Sequence, residues 1–208
     1  MAVHDIFQAV MGFDEAKVKQ LVQAEIDAGG SLETVLNEGL IGAMDEVGKR
    51  FSAGELFVPE MLMAAQAMKA GLAILKPKLA GGAGPVRGTV VIGTVKGDLH
   101  DIGKNLVAMM MEGAGFNVVD LGVDVDAAKF LKAAQDHGAG VVALSALLTT
   151  TMPAMQATIA AVREAGLSVK VIVGGAPVTQ NFADQIDADG YSSDAPGAVE
   201  LTRRLLAA

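Results

Sequence analysis

The residues of this chain best suited to chemistry lie in Gly97-Asp98-Leu99-His100-Asp101-Ile102-Gly103, where an imidazole and a carboxylate stand two positions apart after an apolar run. A neutral imidazole binds a metal through one ring nitrogen and donates a hydrogen bond from the other. A neighbouring carboxylate fixes that tautomer and raises the ligand's basicity. His100 is therefore the candidate metal ligand and Asp98 its hydrogen-bond acceptor. The alternative for Asp98 is merely to cap the helix expected to start near Ile102, a role expected instead of Asp101, because carboxylates suit the orphan amides of a first turn. The string alone is short, and its meaning depends on what lies further along the chain.

Two kinds of element surround it. Residues 14–28 place Ala16, Val18, Leu21, Val22 and Ile26 at helical spacing, with Asp14 as a cap and Gly29-Gly30 as a stop. Ser31 opens a second helix with Glu33 in its first turn, and Val35, Leu36, Leu40, Ile41, Met44 and Val47 continue an apolar stripe to Gly48. A third helix is expected from Pro59 to about Leu75, since proline suits a first turn and Pro77 marks a stop. Met61, Met63 and Met68 read as its core face. Residues 1–76 are thus expected to form a helical bundle, and the breaker-rich stretch 77–88 a linker. Beyond it, Thr89–Thr94, Phe116–Leu121, Val141–Leu144 and Val169–Val173 are short Val/Ile-rich runs alternating with helical patterns. A weaker fifth run covers Ala188–Tyr191, and a closing helix is expected from about Pro196 to Leu206. Runs apolar on both faces fit parallel strands under helices, so 89–208 reads as a doubly wound, Rossmann-like (flavodoxin-like) sheet domain. The fold class is α + α/β.

Composition narrows the function classes. The 208 residues are 51% hydrophobic, enough for buried cores, and the net charge of −8 opposes nucleic-acid binding, which rests on Lys and Arg. Cysteine is absent, which removes disulfides, thiolate metal sites and cysteine nucleophiles together and fits a cytoplasmic chain. No basic and apolar leader opens the sequence, and apolar stretches break before the length of a membrane span. His4 and His137 have no ligand-spaced neighbours and read as surface residues.

In an open α/β sheet, ligands lie beyond the carboxyl ends of the strands. The first strand-to-helix loop carries Asp98, His100 and Gly103. The third carries Ser145-Ala146-Leu147 and then Thr149, Thr150 and Thr151, and the fourth carries Gly174-Gly175. Between Gly103 and Ser145 lie 41 residues, and between Leu147 and Gly174 lie 26. Three loops with this spacing resemble the cobalamin-binding pattern D-x-H-x-x-G, S-x-L, G-G shared by cobalamin-dependent methionine synthase and the small corrinoid methyl carriers. The helical cap of those carriers is similar to Asn37-Glu38-Gly39 through Met61-Leu62-Met63-Ala64-Ala65, so the resemblance spans nearly the whole chain.

The resemblance implies cobalamin as cofactor, cycling between cobalt(I) and methylcobalamin. His100 would replace the cofactor's own benzimidazole as lower ligand of cobalt, Asp98 would bind its distal nitrogen, and Thr151 would complete the relay where methionine synthase has a hydroxyl. The displaced tail would enter a slot lined by Ser145, Gly174 and Gly175. Gly97, Asp101, Gly103, Leu147, Thr149 and Ala195 would make further cofactor contacts. In the cap, Phe51 and Val58 correspond to apolar residues shielding the upper face, with Val58 in place of a leucine, and Glu38 lies near a glutamate that approaches the cofactor. Elementary chemistry is compatible with this assignment: glycine lets a bulky ligand approach the backbone, and a serine hydroxyl can bond a heterocyclic nitrogen.

The function implied is a methyl shuttle rather than a complete enzyme. It would serve a donor-specific methyltransferase, an acceptor methyltransferase using tetrahydrofolate or coenzyme M, and a reductive activase, with no nucleic acid or membrane as partner. The glycines at 80–84 would supply a hinge. Methanol, methylamines, betaine and aromatic methyl ethers are all candidate donors, with aromatic O-demethylation slightly preferred. Two rivals are the cobalamin subunit of an adenosylcobalamin-dependent mutase and a cobalamin-dependent regulator. A phosphate loop over Gly97–Lys104 is rejected because two aspartates would repel phosphate, and a dinucleotide fingerprint at Gly82-Ala83-Gly84 because it precedes the first strand.

Overall fold

The computed structural model describes residues 2–79 and 87–207, and most of the expected linker, with its hinge glycines, lies outside them. The chain divides into two compact units, Met1–Val86 with Glu112–Gly115, and Arg87–Met111 with Phe116–Ala208.

In the first unit the helices are α1 (Ala2–Met11), α2 (Glu15–Asp27), α3 (Leu32–Thr34), a π-helical segment (Val35–Ile41), α4 (Gly42–Ser52) and α5 (Val58–Leu75), followed by a 3-10 turn (Lys76–Lys78). Capping hydrogen bonds account for the starts of α2, α3 and α5. Asp14 Oδ1 accepts the Lys17 amide at 2.9 Å, Ser31 Oγ accepts that of Thr34 at 3.3 Å, and the Phe57 amide donates to Glu60 Oε2 at 2.8 Å. Ile6, Val10, Val18, Val22, Leu40, Met44, Met61 and Met68 form the buried interior. A β-carbon on Gly71 would stand 2.7 Å from Val18 Cγ1 and 3.0 Å from Leu40 Cδ2, so α5 reaches α2 only because this position has no side chain.

Four features differ from expectation. Helix α1 precedes the first expected helix and buries Ile6, Ala9 and Val10. The stripe over 35–41 is wound as a π-helix, which brings Asn37 and Glu38 to the surface while Val35, Leu36, Gly39, Leu40 and Ile41 stay buried. Met61 and Met68, seven positions apart, share the buried face, but Met63 projects outward, as a two-residue step on a helix requires. Helix α5 with the turn after it, Val58–Lys78, is long and apolar enough by length and composition to cross a membrane, contrary to the sequence reading. In this unit its buried face packs on α2 as core.

In the second unit five parallel strands, β1 (Thr89–Thr94), β2 (Asn117–Asp120), β3 (Val141–Ser145), β4 (Lys170–Gly174) and β5 (Gly190–Tyr191), run in the order β2-β1-β3-β4-β5. Helices α6 (Ile102–Gly113), α7 (Ala127–Asp136), α8 (Pro153–Glu164), α9 (Gln180–Gln185) and α10 (Ala195–Ala207) follow them in turn. The Val/Ile-rich strands β1, β3 and β4 are almost wholly buried, with Phe130, Met155, Ile159 and Val162 packed on one side. The strand order reverses between β1 and β3, and a crevice opens at the carboxyl ends of strands flanking such a reversal. Thr94 pairs with Ser145 and Ser145 with Gly174, so the loops after β1, β3 and β4 leave the sheet side by side.

A Gly71→Val substitution should separate α5 from α2 and lower the stability of the first unit by about 1–3 kcal/mol, read as a lower Tm by circular dichroism. An unchanged Tm would contradict the packing described.

Candidate functional site

The site is built around one buried carboxylate. Asp98 has no solvent exposure, in a loop whose start is fixed by the bridge of Val95 to Val125 and the Asp98 amide bonding back to the Val95 carbonyl. Its Oδ1 accepts the His100 amide at 3.1 Å and lies 2.7 Å from His100 Nδ1. Its Oδ2 accepts the amides of Leu147 at 2.8 Å and Leu148 at 3.3 Å, and the Thr151 hydroxyl at 2.7 Å. Burial alone would push this carboxyl up. The Thr151 hydroxyl, the Leu147 amide and the two His100 donors outweigh it and hold Asp98 well below the usual carboxylate range.

An ionised carboxylate only accepts, so His100 Nδ1 carries the hydrogen and Nε2 carries the lone pair. The His100 side chain is 50% exposed, and its carbonyl is held by the buried Thr94 hydroxyl at 2.8 Å. The ring is thus anchored at one nitrogen and open at the other. Among the described residues no group of three or more His, Asp or Glu side chains gathers into a metal cage. His100 can supply one ligand, and a metal bound there must bring the rest of its coordination with it, as a macrocycle does.

The surroundings fit a flat apolar group. Leu99 is 71% and Ile102 83% exposed, and Leu147 and Leu148 also stand out from the third loop. A β-carbon on Gly103 would meet nothing within 4 Å, so the protein's own packing does not account for glycine at this helical position. Ser145 is half-buried, and its hydroxyl has no hydrogen-bond partner among the described residues. Gly175 has a cause within the fold: φ is +131°, and a β-carbon would fall 1.9 Å from the Ala146 carbonyl oxygen. Gly174 stands beside it, facing the Ser192 carbonyl.

Other expected residues fall as follows. Gly97 has φ +84° and donates to Asp124 Oδ1 at 2.8 Å. Asp101 caps α6 through its carbonyl, which accepts the Asn105 amide. Its carboxylate, expected to take a backbone amide, instead accepts the Asn105 side chain at 3.1 Å. Thr149 is exposed and Ala195 is buried at the start of α10. In the first unit Val58 and Glu38 are exposed and Phe51 is half-buried, with Phe57 exposed beside Val58. His4 and His137 lie on the surface. Lys104 is buried, with its ammonium on Asp120 and Asn105, pointed away from any phosphate role. The reading from sequence missed Leu99, Ile102, the Leu148 amide and Asp124. The exposed apolar pair flanking His100 was the only one of these with a residue-type signal.

Residues 88–200 match a B12 binding domain family, and residues 2–76 match a second family of the same description. A corrinoid protein of Desulfitobacterium hafniense is 42% identical over 207 residues, 97% of this chain and 96% of its own length. The chain belongs to the corrinoid protein family, the B12-binding methyl carriers of methyltransferase systems. The dimethylamine corrinoid protein of Methanosarcina barkeri is 46% identical over 195 residues, covering 91% of this corrinoid protein and 92% of the relative. The methanol:cobalamin methyltransferase complex MtaBC from the same organism contains a chain that superposes with a TM-score of 0.89 at 33% identity, covering 99% of this chain and 80% of that one.

The Asp98 carboxylate also dictates a pH dependence. An unfolded aspartate takes up a proton near pH ~4 while folded Asp98 stays ionised, so its contribution is present above that pH and is lost as pH falls towards the lower folded value. Asp98→Asn should turn one oxygen into an amide facing donors and cost about 2–3 kcal/mol at pH 7. In urea titrations the gap to wild type should narrow steadily from pH 5 to pH 2. A gap independent of pH would contradict the assignment.

Proposed function

We propose that this corrinoid protein holds cobalamin with the cofactor's benzimidazole displaced and His100 Nε2 as lower ligand. In this reading it carries a methyl group from a donor-specific methyltransferase to an acceptor methyltransferase working with tetrahydrofolate or coenzyme M. The observation that carries the reading is the half-exposed imidazole whose Nδ1 is committed to a fully buried, ionised carboxylate. When bound, the corrinoid supplies a cobalt centre that accepts a methyl group and gives it up.

The chain's own residues do the rest. Asp98 fixes the Nδ1–H tautomer and makes Nε2 a better donor of its lone pair. Thr151 has one hydroxyl hydrogen and two acceptors, Asp98 Oδ2 at 2.7 Å and the Leu148 carbonyl at 2.9 Å, and the charged oxygen is the stronger of the two. Ser145, Gly174 and Gly175 line the slot for the displaced tail, with the unpartnered Ser145 hydroxyl available to it. Gly97, Asp101, Gly103, Leu147, Thr149 and Ala195 would serve the cofactor and its tail from the second unit.

A methylamine or methanol donor is the reading that the named relatives support, and the aromatic methyl ether gains nothing from them. The methyltransferase complex similarly supports a donor methyltransferase as a physical partner. A reductive activase for repair and a cytoplasmic setting complete the proposal and rest on the family resemblance alone. Relatives named as corrinoid proteins align over both halves of the chain, which favours the carrier over a mutase subunit or a regulator.

Reconstitution with hydroxocobalamin tests the ligand. His100→Ala should lose the absorption of the imidazole-ligated cofactor, and Asp98→Ala should weaken cofactor binding by roughly 10- to 100-fold. Spectra identical for wild type and His100→Ala would sink the proposal.

A further inference from the structure

The loop that carries the histidine is gripped by a residue outside the motif. Asp124, between β2 and α7, accepts the Gly97 amide on Oδ1 at 2.8 Å and the Lys96 ammonium at 3.1 Å, while its own amide donates to the Asp98 carbonyl at 3.0 Å. One residue thus holds three consecutive positions, Lys96, Gly97 and Asp98, immediately ahead of His100. Its backbone is in the left-handed region, with φ of 54°, which a residue with a β-carbon seldom adopts. Such conformations persist where the surroundings over-determine them, and they gather at functional sites. The Asp124 side chain is 44% exposed, so burial in the core does not explain it.

We propose that Asp124 is a positioning residue for the histidine ligand. It clasps the loop 96–98 so that the Asp98 carboxylate stays within hydrogen-bond reach of His100 Nδ1. The neighbouring anchors are the bridge of Val95 to Val125, the Asp98 amide on the Val95 carbonyl, the Leu147, Leu148 and Thr151 donors on the Asp98 carboxylate and the Thr94 hydroxyl on the His100 carbonyl; Asp124 adds a hold on Lys96 and Gly97, the two residues ahead of that carboxylate. This inference rests on the reading of His100 as lower ligand.

Glycine at this position relaxes the left-handed backbone and removes the side-chain acceptor, which separates structure from positioning. Asp124→Gly should keep the cofactor-free Tm within a few degrees of wild type. It should weaken hydroxocobalamin binding roughly 3- to 10-fold, the scale of one lost hydrogen bond, and lower the imidazole-ligated fraction in the absorption spectrum. Asp124→Asn keeps an oxygen for Gly97 and tolerates the left-handed region, losing only an exposed ion pair, so it should restore both readouts to near wild type.

An Asp124→Gly protein with wild-type Kd and spectrum overturns the proposal. So does one whose cofactor-free form loses stability in step with affinity, since its role is then structural. His100→Ala, run alongside, separates the levels. If it leaves the spectrum unchanged, the ligand reading falls and the clasp with it. If it changes the spectrum while Asp124→Gly does not, only the clasp falls.

Discussion

A carboxylate shut away from water must be answered by hydrogen-bond donors, and the arrangement of the second unit follows from how Asp98 is answered. Removing a charge from water costs several kcal/mol unless donors replace the lost hydration. Two of the donors come from His100, within the same loop, and three from Leu147, Leu148 and Thr151, about fifty residues further along the chain. Those three reach Asp98 only when β3 lies beside β1 in the register that pairs Thr94 with Ser145. Assembly of the sheet and orientation of the imidazole are therefore one event, and the ring is set before any ligand arrives. Preorganisation of this kind lets a single side chain act as a defined axial ligand.

The topology places the remaining parts. Because the strand order reverses at β1 and β3, their following loops open into one crevice, and Gly174 at the end of β4 lies next in line. The two glycine signals then separate by cause. Gly175 is demanded by the Ala146 carbonyl and a positive φ, so the fold alone explains it, whereas Gly103 meets nothing of the protein and leaves room for something else. Exposed Leu99 and Ile102 beside it would be a liability on a bare surface and suit a wall against an apolar macrocycle.

Much of this was legible in the residues. The range Thr89–Thr94 is that of β1, and β3 and β4 differ from expectation by a residue at one or both ends, because runs apolar on both faces are the signature of buried parallel strands. Asp14 and Ser31 announced helix starts through their side chains. Helix α1 went unread, and the π-helical turn at Val35–Ile41 hid within a stripe that an ordinary helix also satisfies. At the site, His100 and Asp98 declare themselves by type and spacing. Thr151 needed the family resemblance, since a threonine before a helix usually serves the helix. The Leu147 and Leu148 amides and the clasp of Asp124 leave no trace in residue type, because backbone donors and loop conformations belong to the folded chain alone.

The central claim is that a protein imidazole, and not the cofactor's own base, stands on the lower face of cobalt. Nitrogen hyperfine splitting in the electron paramagnetic resonance spectrum of the cobalt(II) form reads the identity of that atom directly. Grown with 15N-histidine as its only isotopic label and loaded with natural-abundance cobalamin, the protein should show each cobalt line split into a doublet. A triplet, the mark of 14N from the benzimidazole, would contradict the account.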